Sequence, residues 1–395
     1  MLTRILPILG VTFIDILGFS ILLPILPYFV KHFGASDLVV GLLFSTFAAC
    51  QFLAGPLWGN VSDRIGRKKV LIVSQIGATI GWFMLALAHS IGMVFIARIV
   101  EGVSGGNLSV TQAYVADLVE PKQRGRAFSY VGASFSAGIV FGPLLGGTLY
   151  EHFGFSAPFL AAATLQFVTL IVTIIMLPES RNPEGSQVAT LSHIRASLAD
   201  PAVAPILLQM WAFSLALYAW FGVFALLLQA ALGFNAASSS FFFASFGVLS
   251  VIMQLGPGPR IIDNIGDRRS SNIGIACALA GFLLVPFVHS VATLVPTFLL
   301  FGIGMAIARP ALSSILTAGA PENQRGTILG VSSALDNLSG VSMPPLSTSL
   351  LGRYGPPWAG AVSSLFAFVA LVMGLAAQRR DQTQSVEQPA ELVAK

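Results

Sequence analysis

Three carboxyl side chains lie about ten residues inside long apolar runs: Asp15, Glu101 and Asp336. Ten helical residues rise about 15 Å, which would put each near the middle of a bilayer's hydrocarbon. An ionised acid at that depth is costly and is rarely kept without a role. Loss of hydration favours its protonated form. Such a group can take a proton from one side and release it on the other as its surroundings change. Arg98 precedes Glu101 by one helical turn and could hold it ionised, so that proton, cationic solute and arginine would contest one acid. Plainer readings stand beside these: a helix-packing hydrogen bond for Asp15, a buried structural pair for Arg98 and Glu101. Asp336, with Asn337 beside it, could line a wet cavity. Arg309, followed by Pro310, could serve an anionic group or extend towards the membrane surface.

The elements that must carry these groups follow from composition. Over 395 residues the chain is 55% hydrophobic and only 10% charged, with a mean hydropathy of +0.81. A single water-soluble core stops growing at about 250–300 residues, so repeated apolar runs of bilayer length point to a helical protein of many spans. Counting runs between polar turns predicts twelve spans, at 5–30, 38–59, 70–88, 92–118, 126–150 and 155–177, then 203–230, 238–260, 271–288, 292–317, 327–350 and 357–377. The first is too long for a signal-peptide core and lacks a small-residue cleavage site, so it reads as a retained span. The polar stretch 178–202 reads as a linker, with a short surface helix expected around 190–199, and 379–395 as a polar tail too poor in apolar residues to order. Cys50 and Cys277 both fall inside apolar runs and read as small packing residues.

Of 21 Lys and Arg, Arg98 and Arg309 lie within spans, and only Lys31 and Arg353 fall in one set of loops. All the others share the opposite loops with both termini. That asymmetry predicts cytoplasmic termini and an even number of spans, so the linker and tail would be cytoplasmic too.

The chain repeats itself at a shift of about 200 residues. The cluster GNVSDRIGRKKV (59–70) returns as IIDNIGDRRSSN (261–272), EPKQRGRAF (120–128) as APENQRGTI (320–328), and FGPLLGGTLYEHFG (141–154) more loosely as MPPLSTSLLGRYG (343–355). In the first cluster Gly59 and Gly66 permit a tight turn, and Asp63 can accept hydrogen bonds from a helix N-terminus or from Arg67. Asp117 offers Arg67 a second partner. The second copy keeps Asp263, Gly266 and Arg268 but has Asp267 where the first has Arg67. Gly138, Gly142 and Gly146 recur every four residues, which makes one small helix face for close packing, and Pro143 bends that span. For an amphipathic solute, the mid-span candidates are Gln51, Asn107, Gln112, Tyr114, Gln209, Trp211, Tyr218 and Trp220. Trp211 and Tyr218, seven apart, share a face, and aromatic walls suit flat cations.

Four of these segments carry a family resemblance. Gly59, Asp63, Arg64, Gly66, Arg67 and Lys68 match the loop-2–3 pattern G-x-x-x-D-R-x-G-R-[RK] of the major facilitator superfamily. RIVEGVSGG (98–106) looks like its fourth-span motif, and GIVFGPLLGG (138–147), ending on Gly146 and Gly147, like the fifth-span motif associated with antiporters. DILGFSILLPILP (15–27) resembles the first-span signature of twelve-span drug/proton antiporters, tetracycline exporters among them. The resemblance implies an all-α membrane protein of twelve helices in two pseudo-symmetric six-helix bundles, 1–177 and 203–378, acting as a monomer in the inner or plasma membrane. It implies proton-coupled efflux of small amphipathic molecules, with the charged turn as a latch for the outward-facing state and the glycine face sealing against the eighth span. The expected partners are a small-molecule substrate, protons and lipid. No cofactor beyond the proton gradient is expected. The ninth span, IGIACALAGFLLVPFVHS (273–290), lacks the acid that tetracycline exporters carry there, so a broader multidrug range is expected.

The sequence holds no G-x-x-x-x-G-K-[ST] phosphate loop and no H-E-x-x-H helix, so neither an ATPase nor a metallohydrolase is expected. The basic balance belongs to short membrane loops rather than to a nucleic-acid face. Sugar or organic-acid uptake is the alternative, with Arg309 favouring an anion. A transport-dead sensor would need degraded motifs and an added soluble domain.

Overall fold

The computed structural model describes residues 2–105, 107–119, 123–179, 191–201, 203–319 and 325–393. Among the described residues the long helices follow one another as twelve passes, two of them built from two helices each. The first half comprises α1 (Leu2–His32), α2 (Asp37–Ile65), α3 (Arg67–Ala86), α4 (Ile91–Ser104), α5 (Asn107–Leu118), α6 (Arg124–Phe153) and α7 (Ser156–Met176). A short helix, α8 (Leu191–Ala199), precedes the second half. That half is α9 (Ala204–Leu232), α10 (Ala236–Leu255), α11 (Pro257–Ile265), α12 (Asp267–Leu283), α13 (Val291–Gly319), α14 (Arg325–Tyr354) and α15 (Ala361–Val393).

Among the described residues, ten helices are long and apolar enough on their own to cross a membrane. The fourth pass is not among them because it is two helices rather than the single span expected over 92–118. Gly105 sits at the break in an extended conformation, where glycine's weak helix preference makes an interruption cheap. The carbonyls freed at the end of α4 find other donors. Gly102 O accepts from the Gly105 N–H at 3.1 Å, Val103 O from Trp58 Nε1 at 2.6 Å, and Ser104 O from the Ser74 hydroxyl. In hydrocarbon an unsatisfied carbonyl costs several kcal/mol, so these side chains make the break tolerable. The other exception is α14, 30 residues long but diluted by Asp336, Asn337 and repeated serines. The eighth pass breaks at Gly256, where Pro257 opens α11.

The last helix differs from expectation. α15 continues to Val393, through most of the polar stretch expected to lack order. Its Gln, Glu, Ala and Leu residues are good helix formers, and a helix already running extends through them without a new nucleation cost.

Within the first half α1 packs on α6 and α7, α3 on α4 and α7, and α2 on α4; within the second, α12 packs on α13 and α15, and α9 on α14 and α15. The main seams between halves are α2 with α14 and α6 with α10. Both are built on small residues, as close helix approach in lipid requires. Gly41 lies against Pro344 and Pro345, Gly340 against Ala48, Gly147 against Ser240, and Gly247 against Val140. Polar bonds also join the halves: Ser45 Oγ of α2 donates to Val341 O of α14 at 2.5 Å, and the hydroxyls of Tyr28 of α1 and Ser239 of α10 are 2.6 Å apart.

Candidate functional site

At the charged turn, Gly66 adopts φ 106°, a region closed to other residues without strain. The turn aims Arg67 inward, where it is buried. Its Nη1 donates to Ser62 Oγ at 2.8 Å and its Nε to Asp117 Oδ2 at 3.3 Å. Arg64 is exposed, and the side chain of Asp63 lies outside the described residues. Sequence reasoning missed Glu179. Its Oε1 accepts the Lys68 backbone N–H at 3.0 Å, placing a carboxylate on the first turn of α3, where the helix dipole favours it. Lys68 Nζ donates to Ile174 O at 2.8 Å, so the turn is tied to the end of α7. Tyr114, expected in the cavity, is instead buried, with its hydroxyl donating to Pro178 O at 2.8 Å. In the second copy Gly266 has φ 81° and Asp263 is exposed. There Asp267 accepts from Ser314 Oγ at 2.7 Å, so an acid–hydroxyl contact stands where the first copy has arginine and aspartate.

The glycine face of α6 corrects the sequence expectation. The groups nearest Gly138, Gly142 and Gly146 belong not to the eighth pass but to α1, with Ile16, Leu17 and Ile21 against them, while Gly147 meets α10. Ser20 Oγ bridges the same contact by donating to Gly138 O at 2.8 Å. The four-residue spacing defines a stripe but not its partner. Pro143, one position on, is buried. Asp15 lies midway along α1, half-buried and engaged.

On α4, Arg98 and Glu101 form an ion pair one turn apart, and they are 1% and 5% exposed. Their surroundings are close: Gly81 of α3 lies against Glu101, and Gly102 against the Phe47 backbone and the Cys50 Cβ. The Arg98 guanidinium carbon stands 4.2 Å from the centroid of the Phe47 ring. Among the described residues, Arg98 Nε and Nη2 and Glu101 Oε1 have no hydrogen-bond partner.

The second half carries a matching group. Arg309 of α13 grips Asp336 of α14 with Nη2 to Oδ2 at 2.8 Å and Nη1 to Oδ1 at 3.3 Å. Ser214 of α9 donates to Asp336 Oδ1 at 2.5 Å and accepts from Arg309 Nη1 at 3.0 Å. This pair is wetter than the first, with side chains 33% and 17% exposed. Residues 95 and 122 positions from Ser214 meet at its hydroxyl, which no local pattern signals.

Between the halves lies a cleft lined by Phe19 and Leu23 of α1, Phe44, Phe47, Ala48 and Gln51 of α2, Tyr218, Phe221 and Gly222 of α9, and Asn337, Gly340 and Pro344 of α14. Gln51, Tyr218 and Asn337 are thus brought to its wall. Trp220 is not. It is buried inside the second half against Phe224, Phe282 and Phe301. Gln209 is also buried; its Nε2 donates to Asn272 Oδ1 at 3.3 Å, and Asn272 Nδ2 to Gln378 Oε1 at 2.8 Å. Trp211 shares a face with Tyr218, as expected, and both pack on Leu215 and Met343, but Tyr218 reaches the cleft wall and Trp211 does not. These three displaced residues are polar or aromatic within an apolar run, which reports that a position is unusual but not which way it points. The side chains of Asn107 and Gln112 lie outside the described residues. Among the described residues, no three His, Cys, Asp or Glu side chains gather to hold a metal ion.

Comparison with known proteins agrees with this architecture. The chain is 27% identical over 395 residues to the class B tetracycline resistance protein of Escherichia coli, covering 96% of this chain and 97% of that one. It is 28% identical over 380 residues to multidrug resistance protein 2 of Bacillus subtilis (strain 168), covering 92% and 91%. The in meso crystal structure of the POT family transporter PepTSo superposes with a TM-score of 0.77 at 14% identity, covering 98% of this chain and 99% of that one. The sequence profile of the Major Facilitator Superfamily matches residues 8–259 and 256–393. Two six-helix halves, a cleft between them and a profile spanning nearly every residue lead to one conclusion: the chain belongs to the major facilitator superfamily and is a membrane transporter, not an enzyme.

Proposed function

We propose that this transporter exports small amphipathic molecules in exchange for protons, by rocking its two halves about the central cleft. The observation that carries the reading is that each half sets one arginine–carboxylate pair near an aromatic-walled cleft between them: Arg98 with Glu101 and Arg309 with Asp336. A carboxylate that changes partner between two arrangements can change its proton occupancy, which is what exchange requires. Asp15, midway along α1, is the third coupling candidate. The Arg67–Asp117 contact serves as the latch of the charged turn. The names of the relatives, resistance proteins at 27% and 28% identity, support drug-like cargo.

The proposed setting is the inner or plasma membrane, with a monomer whose halves are 1–177 and 203–378. The linker 178–202, both termini and the tail from 379 would be cytoplasmic. The Lys and Arg asymmetry of the loops supports that orientation. In proteoliposomes enclosing a pH-sensitive dye, adding a transported drug should drive proton movement that Glu101→Gln and Asp336→Asn abolish. Drug transport with no accompanying proton movement would refute exchange. An anionic cargo drawn by Arg309 would instead lose transport on Arg309→Gln, with the proton signal absent from the start.

A further inference from the structure

Phe47 belongs to two environments at once. Its ring forms part of the cleft wall, with Phe19, another wall residue, stacked near it at 6.1 Å and 30°. Over the same ring lies the guanidinium of Arg98, which is not part of the cleft wall and is buried behind it. Arg98 needs that ring. Burial strips its hydration, two of its three nitrogens have no hydrogen-bond partner among the described residues, and its remaining compensation is one carboxylate and one aromatic surface. The ring is held in place, because Gly102 leaves α4 in contact with the Phe47 backbone. Any side chain at position 102 would push the two helices apart.

A ring attracts a cation through its quadrupole, and two cations drawn to one ring weaken each other's hold while repelling through it. We infer that Phe47 is the specificity-determining residue through which a flat cationic cargo in the cleft and the buried Arg98–Glu101 pair sense each other. The inference deepens the exporter reading above and rests on it for its physiological meaning. Cargo charge settling on Phe47 loosens Arg98 from the ring and leaves the guanidinium to Glu101. By reciprocity, whatever holds Arg98 on the ring disfavours the cation. An uncharged cargo of the same shape would pack against Phe47 without this exchange.

The test is equilibrium binding to the full-length protein in nanodiscs. It uses the intrinsic fluorescence of N-methylacridinium and of its uncharged isostere 9-methylanthracene, with empty nanodiscs subtracted. Phe47→Leu, which keeps apolar bulk but removes the quadrupole, should lower the cation-to-neutral affinity ratio by about 5- to 30-fold. Phe47→Trp should keep the ratio. Replacing the pair together, Arg98→Gln with Glu101→Gln, should raise the ratio, and adding Phe47→Leu to that background should erase the rise. Equal weakening of both probes by Phe47→Leu would reduce Phe47 to a packing residue and overturn the inference. So would a rise that persists without the ring, or a protein whose ratio no variant moves. Because the measurement needs no gradient, it can fail while drug-driven proton movement stands. Failure of proton coupling would likewise leave the ratio intact.

Discussion

Removing Arg98 alone should be among the most damaging single changes in the first half. Arg98→Met takes away the charge that compensates Glu101, which is 5% exposed and has Oε1 without a partner among the described residues. Breaking a buried ion pair by deleting one member costs about 3–5 kcal/mol, because the survivor stays desolvated or must be neutralised. For a folding unit of roughly 150–250 residues, each kcal/mol corresponds to about 2–4 °C, so the apparent melting temperature should fall by roughly 6–20 °C. Neutralising the survivor should help. In Arg98→Met with Glu101→Gln, the residual penalty is that of an unsatisfied buried amide, about 1–3 kcal/mol. The double variant should therefore melt several degrees above the single. The assay is thermal unfolding of purified protein in detergent, followed by thiol-reactive fluorescence as Cys50 and Cys277, both part-buried in the fold, become accessible. A single variant that melts with the wild type would mean the pair is not desolvated. A double variant that melts below the single would mean the two residues do not act as a unit.

Gly142→Val should separate α1 from α6, since a Cβ there would collide with the backbone of Leu17, whereas Gly132→Val adds its side chain to open space. The expected cost is about 1–3 kcal/mol for the first and no resolvable shift for the second, read as melting temperatures. Asn272→Leu leaves the Gln209 and Gln378 amides without their shared partner. It should cost about 1–3 kcal/mol in the same assay, and no loss would show that water replaces the bond. Glu179→Ala removes the acceptor on the first turn of α3. It should cost about 1 kcal/mol and speed proteolysis between α2 and α3, while Glu179→Gln, which keeps an acceptor oxygen, should be milder.

Some of this was legible before any coordinates. Transfer from water to hydrocarbon is a property of each residue in its own window, so twelve apolar runs name twelve passes whatever they pack against. Repeated turns with the same glycines and acids announce two copies of one unit. Two broken passes, the fourth and the eighth, were misread as continuous. In the fourth, a Gly–Gly pair marks where a helix can break, but the break needs Trp58 and Ser74 to satisfy the freed carbonyls, and both lie on other helices.

Which helix a face meets, and which side chain pairs with which, was decided only by the tertiary structure. The stripe Gly138–Gly142–Gly146 could have served any neighbour and serves α1. Trp220 and Gln209 could have faced solute, yet they are buried in the second half. Arg309 and Asp336, 27 positions apart, meet at a serine from a third helix. Pairing energies arise between residues distant in sequence and depend on helix packing that no local window samples. The acids alone told where charge is expensive; only the assembled bundle chose what stands opposite each one.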